Sequence, residues 1–226
     1  MKTRPLRILL VCQAETEADA IRKTIDGIGN QWGKLEWVSS FEAGRQAFAE
    51  NHHDVYLLDD RLGAQRGIEL LAEARAIGCA KPIILFYDSA DTDTSASSRH
   101  AASDCLDKAC LSPQLLERSI QYALDRARSA EALRESEERF QRMADAAPVL
   151  IWISDPDGLC TFFNARWLAF TGRTTQQESA TGWQAGIHPD DRDRVLHVFD
   201  KALRNYLKTL NRLYHSKAHA NWIIPR

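Results

Sequence analysis

No apolar run in this 226-residue chain approaches the roughly 20 residues of a membrane-spanning helix. The stretch Ile8–Val11 is also shorter than the apolar core of a secretion signal, about 7–15 residues, so no membrane insertion is expected. Cysteine is sparse: Cys12, Cys79, Cys105, Cys110 and Cys160 are odd in number and contain no C-x-x-C pair. That pattern argues against a disulfide frame or a zinc site and for buried, reduced thiols in a cytoplasmic protein. An excess of one charge is lacking too. The 29 Lys and Arg against 31 Asp and Glu leave a formal charge of -2 and a pI near 6.4, which supply no electrostatic reason to bind nucleic acid or an anionic membrane. There is no glycine-rich phosphate loop and no nucleophile–base set, so the chain does not read as an enzyme.

What is present divides in two. At 226 residues the length suits one large or two small domains. The first half alternates strands and helices. Ile8–Val11, Leu35–Val38, Val55–Leu58, Pro82–Phe86 and the short Cys105-Leu106 read as five strands. Thr16–Ile25, with Ala18, Ile21 and Ile25 at helical spacing, reads as a helix that Gly27 ends. Ser39 and Glu42 suggest a capping box ahead of Phe41, Ala47 and Phe48. Ile68–Ile77 reads as an amphipathic helix closed by Gly78. Residues 91–98, rich in Ser, Thr and Asp, predict a short or mobile helix after them. Ser112-Pro113 opens a further helix, with Ser as N-cap and Pro at its first position. Five strands alternating with helices imply a parallel, doubly wound sheet. Asp59, at the carboxyl end of a strand apolar on both faces, stands where such sheets place their chemistry.

Residues 5–127 resemble the receiver domain of bacterial response regulators, a flavodoxin-like α/β fold with a doubly wound five-stranded parallel sheet. Asp54-Val55-Tyr56-Leu57-Leu58-Asp59-Asp60-Arg61-Leu62 matches the segment ending in the family's phosphoacceptor, which falls on Asp59. Asp104-Cys105-Leu106-Asp107-Lys108 matches the segment of the family's invariant lysine, which falls on Lys108. The departures are chemical. The acidic pair that holds Mg²⁺ in the family falls on Cys12 and Gln13, the switch Ser/Thr on Tyr87, and the switch aromatic on Cys105. Mg²⁺ wants hard oxygen ligands; a thiol is a poor match, and an amide gives one neutral oxygen. Phosphoryl transfer leans on the metal to neutralise charge. No metal is therefore expected beyond weak Mg²⁺ at Asp59, and a direct Asp59–Lys108 ion pair is expected in its place. Asp60 and Asp88 neighbour the site, but strand alternation turns Asp60 to the opposite face. A redox role for Cys12 would need Lys108 to outweigh burial.

Leu115 to about Ala147 lacks Pro and Gly and reads as one long helix, residues 115–147, of roughly 50 Å at about 1.5 Å per residue. Glu135–Arg139 and Glu138–Arg142 are favourable i,i+4 pairs. Leu133, Phe140 and Ala147 recur every seven residues, with Ser136 and Met143 between, which suggests a short coiled-coil seam. A solvated interdomain connector is the alternative.

From Val149 the signals are those of a small α+β domain. Val149–Ser154 and Leu159–Phe163 read as strands joined by the turn Asp155-Pro156-Asp157-Gly158. Asn164 caps a short helix stopped at Gly172. His188-Pro189-Asp190-Asp191 begins another, with acids complementing the positive end of its dipole. With the upstream Glu135-Ser136-Glu137-Glu138-Arg139-Phe140, these segments are similar to a Per-Arnt-Sim (PAS) domain over residues 138–226, a fold with an antiparallel sheet. Leu207–Tyr214 and Asn221–Ile224 resemble its penultimate strand pair, so the domain is expected to lack its last strand and to leave the Trp222 strand as an open edge. His215 and His219 then lie in a solvated hairpin.

The resemblances imply a two-component signalling regulator. It is expected to act through contacts with a histidine kinase or other signalling proteins, with Asp59 phosphorylation weak or lost, and to form a homodimer through the linker helix and PAS domain. The alternatives are a working phosphorelay receiver, a PAS-based small-molecule sensor, and the N-terminal part of a larger hybrid kinase or cyclase. No cofactor is expected, and any PAS ligand stays unassigned.

Overall fold

The computed structural model describes residues 5–28, 33–89 and 101–217, with 206–217 described as backbone alone. The expectation about residues 91–98 and the strand at Asn221–Ile224 lie outside the described residues. The chain forms two compact units, Met1–Arg134 and Glu135–Arg226.

In the first unit, β1 (Ile8–Val11), β2 (Leu35–Val38), β3 (Val55–Asp59), β6 (Ile83–Tyr87) and β7 (Asp104–Asp107) form one sheet in the order β2-β1-β3-β6-β7. All four pairings are parallel. Two-residue strands β4 (Arg61–Leu62) and β5 (Gln65–Arg66) make a small hairpin after β3. Alternation along the strands divides the core between two faces. Ile8, Leu10, Val55, Leu57, Ile84 and Phe86 pack with Ala18, Ile21 and Ile25 of α1 (Glu15–Asp26) and with Leu116 and Ile120 of α4 (Pro113–Ala146). On the other face Leu9, Val11, Tyr56, Leu58, Ile83 and Leu85 meet Phe41 and Phe48 of α2 (Phe41–Glu50) and Leu70, Leu71 and Ala74 of α3 (Gly67–Ala76). A strand buried on both faces has no polar side to show, which is why β1, β3 and β6 are continuous apolar runs.

Local signals set the helix ends. The α2 cap is Ser40, whose Oγ accepts from Ala43 N at 3.2 Å, one residue beyond the Ser39 expected from spacing to Glu42. Helix α4 opens on Ser112, whose Oγ accepts from Leu115 N at 3.2 Å. Gly67 is required by close approach: a Cβ there would lie 2.0 Å from the Asp59 carbonyl oxygen. Helix α3 can therefore begin directly against the end of β3.

In the second unit β8 (Trp152–Ser154) and β9 (Cys160–Phe163) form an antiparallel pair. Their turn is held by Asp155, whose carboxylate accepts from Asp157 N at 3.0 Å and Leu159 N at 2.9 Å, with Gly158 at φ 83°. Asn164 is fully buried. Its Oδ1 accepts from Ile151 N and Trp167 N, and its Nδ2 donates to the carbonyls of Ala144 and Val149 at 2.8 and 2.9 Å. All its polar capacity is thus spent joining the end of α4, the approach to β8 and α5 (Ala165–Thr171). Helix α6 (Thr175–Glu178) follows with a Thr174 capping box. His188 then starts a short 3-10 turn, its Nδ1 accepting from Asp190 N at 3.3 Å, and α7 runs Arg192–Lys217.

This corrects one expectation. Leu207–Tyr214 is helix, not strand, and His215 lies in that helix rather than in a hairpin. The stretch 190–217 contains no Pro or Gly, and Leu203, Leu207, Leu210 and Tyr214 recur at i+3 and i+4 spacing, a helical period.

Candidate functional site

The sheet order reverses between β1 and β3, and the crevice outside their carboxyl ends is where a doubly wound sheet binds ligands. Asp59 ends β3 there. Val55, Leu57 and Asp59 alternate onto the α1 face of the sheet, so the carboxylate, almost wholly buried at 1% exposure, points toward α1 and the end of β7. Its Oδ2 accepts from Lys108 Nζ at 2.6 Å and its Oδ1 from Arg61 N at 3.0 Å. The expected Asp59–Lys108 ion pair is thus present in the structure.

A third group joins them. Glu17, in the first turn of α1, accepts from Lys108 Nζ at 3.2 Å through Oε1 and shares a hydrogen bond with Asp59. Two carboxylates in hydrogen-bond contact cannot both ionise cheaply, so the pair holds a proton to a higher pH than a free carboxyl does. Burial, then the Glu17 hydrogen bond, raises the Asp59 carboxyl from 3.8 to about 6, against the pull of Arg61 N and Lys108. Glu17 is held below its ordinary value by that same Asp59 bond and by Lys108. Burial disfavours the Lys108 ammonium, yet Asp59 and Glu17 outweigh it and its pKa rises.

Sequence reasoning gave Glu17 no role. The available signal was an acid in the first turn of the helix that follows β1, at the sheet's switch point.

The remaining site positions surround this triad. Cys12 is buried, donates its thiol to Ala14 O at 3.7 Å, and gives its carbonyl to Trp37 Nε1 at 2.9 Å. Burial pushes its thiol up to about 11, which disfavours a thiolate nucleophile at neutral pH. Gln13 is exposed and lies over Gly63, where a Cβ would come within 3.3 Å of its Nε2. Tyr87 ends β6 opposite Asp107, and Cys105 pairs with Leu85, two residues back along the same ladder. Asp60 faces α3: it is buried, pairs with Arg66, and accepts from Ile68 N at 3.3 Å. It does not join Asp59.

These donors do not fit Mg²⁺. A protonated thiol and a neutral amide stand where hard anionic oxygens are wanted, and the Lys108 ammonium already lies against both carboxylates. Among the described residues no group of three or more His, Cys, Asp or Glu side chains could hold a metal ion.

Comparison with known proteins agrees with this architecture. Residues 138–204 match the PAS domain family. The receiver domain of a putative Luxo repressor protein from Vibrio parahaemolyticus superposes with a TM-score of 0.50 at 18% identity, covering 57% of this chain and 98% of that one. NtrX from Brucella abortus, in complex with ATP, superposes with a TM-score of 0.50 at 17% identity, covering 58% and 29%. An uncharacterized protein, y4lL of Sinorhizobium fredii (strain NBRC 101917 / NGR234), is 40% identical over 102 residues, which are 44% of this chain and 12% of that protein. The chain therefore spans a small part of that relative's length. The first unit has the receiver fold of response regulators, and a PAS domain follows it. No helix among the described residues is long and apolar enough to cross a membrane.

Proposed function

We propose that this chain is a cytoplasmic, non-enzymatic regulator of the two-component type that works through contacts with signalling proteins, and that phosphorylation of Asp59 is weak or lost. The observation that carries this reading is the 2.6 Å contact from Lys108 Nζ to Asp59 Oδ2, shared with Glu17. Cys12 and Gln13 stand where the receiver family has its metal-holding acidic pair. A charge-assisted bond at this distance is strong, and a phosphoryl group and its metal would both have to displace it. Incubated with acetyl phosphate and Mg²⁺, the chain is expected to show no phosphoryl adduct by intact-mass measurement. A rapid, stoichiometric adduct on Asp59 would favour the phosphorelay reading, with a histidine kinase as donor.

Homodimerisation is part of the same proposal. On α4 Leu133 and Met143 are 60% and 61% exposed, and with Phe140 they fall at a and d spacing of one seam. Light scattering is expected to show a concentration-dependent dimer that Leu133→Lys with Met143→Lys converts to monomer. A monomer at every concentration counts against the seam.

A second reading, a PAS-based small-molecule sensor, is supported by a separate observation: a cavity of about 340 Å³ within the second unit.

A further inference from the structure

The receiver-fold sheet has a free edge at β2, which pairs only with β1 among the described strands. Lys34 O and Val38 O accept from Ile8 N and Cys12 N at 3.4 and 3.2 Å. Backbone groups alternate along a strand, so residues 34, 36 and 38 face β1. The N–H and C=O of Leu35 and Trp37 then face outward. Such a row is a template for one kind of occupant, another extended backbone. A groove of about 580 Å³ lies along this edge, lined by every residue of β2 and by one side of α2.

Alternation also sorts the side chains. Leu35 and Trp37 pack toward the α1 face, and Val38 toward the α2 face. Lys34 and Glu36 therefore fall on the α2 side, where Glu50 of α2 lines the same groove. Glu36 accepts from His53 Nε2 at 2.9 Å and Glu50 from Gln46 Nε2 at 2.9 Å. Both carboxylates stay 50% exposed. A side chain laid opposite Glu36 thus meets two acids, and one laid opposite Lys34 meets a cation. Like charges directly opposite across strands are destabilising, so this edge rejects many strands and selects one of complementary sign. Antiparallel pairing is the more stable kind. In that direction the fitting strand places apolar, basic, apolar and acidic residues opposite Trp37, Glu36, Leu35 and Lys34.

We propose that the β2 edge docks an extended segment of a partner protein with this apolar–basic–apolar–acidic order. The proposal rests on the contact-mediated reading of the chain and adds the surface used and the chemistry of the partner. Trp37 supplies a reporter: its Nε1 donates to Cys12 O at 2.9 Å, so a strand added beside it disturbs an indole N–H already fixed in place.

The test uses the full chain and three end-capped hexapeptides. They are Thr-Val-Lys-Val-Glu-Thr, its charge-swapped form Thr-Val-Glu-Val-Lys-Thr, and the first peptide N-methylated at both valines. Titration is followed by the backbone amide resonances of Leu35 and Trp37 and by the Trp37 indole. The first peptide is expected to shift all three and to slow hydrogen exchange at the two outward amides. The charge-swapped peptide is expected to bind about tenfold more weakly, because two cross-strand pairs are reversed. The N-methylated peptide cannot donate to the edge and is expected not to bind at concentrations that saturate with the first. Glu36→Gln with Glu50→Gln should cut the charge preference to about threefold, the share left to Lys34. Equal binding of the first two peptides to the unaltered chain overturns the partner class. Undiminished binding of the N-methylated peptide overturns strand pairing, and shifts confined to residues outside the groove overturn the location. In the chain carrying Leu133→Lys and Met143→Lys, outward amides that become protected without peptide as chain concentration rises assign the edge to a second copy and overturn the partner segment. No binding by any peptide at millimolar concentration overturns the proposal alone, since the contact-mediated reading is decided separately by the acetyl phosphate measurement.

Discussion

Lys108→Met is expected to lower the stability of the receiver-fold unit by about 3 kcal/mol at pH 7.5, and by much less at pH 5. Removing the ammonium leaves Asp59, at 1% exposure, and Glu17 in contact without a counter-charge. Breaking one partner of a buried pair is costly because the other stays buried and charged. Below about pH 6 Asp59 holds its proton in the native state, so the buried charge that Lys108 balances disappears and only the more exposed Glu17 carboxylate is left to it.

The unaltered chain follows the same chemistry. Because the Asp59 pKa is raised in the folded state from 3.8 to about 6, its contribution to stability is fully present below about pH 4 and is lost as pH rises through about 6. Glu17, held below its ordinary 4.5, contributes in the opposite sense: its part is present above about 4.5 and is lost as pH falls through its folded value. Amide hydrogen exchange of the β3 peptide, which reports opening of this unit by itself, measures both effects. A loss on Lys108→Met that is the same at pH 5 and 7.5 would show that Asp59 does not take up a proton between those two values.

The second large effect is a gain. Cys12→Asp combined with Gln13→Asp is expected to raise the rate of phosphoryl transfer from acetyl phosphate by on the order of 100-fold in Mg²⁺, since metal stabilisation of transferring charge is worth several kcal/mol and each tenfold is about 1.4 kcal/mol. The substitutions put hard oxygens at the carboxyl end of β1, beside Asp59. They also add negative charge to a pocket where Glu17 and Asp59 already share one ammonium, so the variant should need the cation to be stable. Mg²⁺ is expected to raise the melting temperature of the variant and to leave that of the unaltered chain unchanged. Equal phosphorylation rates in the two chains would mean that Cys12 and Gln13 are not what limits the chemistry. Equal Mg²⁺ dependence of melting would mean that the pocket already accepts the ion.

Much of this site is readable from residue order alone. Val55–Leu58 is apolar at every position because β3 is covered by helices on both faces, and a carboxylate closing such a run has few places to be. Alternation then separates Asp59 from Asp60: one faces α1 and Lys108, the other α3 and Arg66. The turn at Asp155–Gly158 and the caps at Ser112 and Asn164 are local hydrogen-bond chemistry, and local chemistry is legible. The strand assigned to Leu207–Tyr214 came from resemblance and overrode a helical spacing that was present in the same residues.

Sequence by itself determined the elements whose cause is local or periodic: the five strands, their helices and the long α4; the approach of Lys108 to the end of β3 came from the family resemblance. Tertiary structure alone decided that Glu17 would join Asp59 and Lys108, and that Trp183 would be buried with its Nε1 unbonded while Trp167 found Glu178. Those contacts join residues far apart in the chain, through packing of whole helices onto a sheet. No spacing rule encodes them, because each depends on where an entire element settles rather than on its own period.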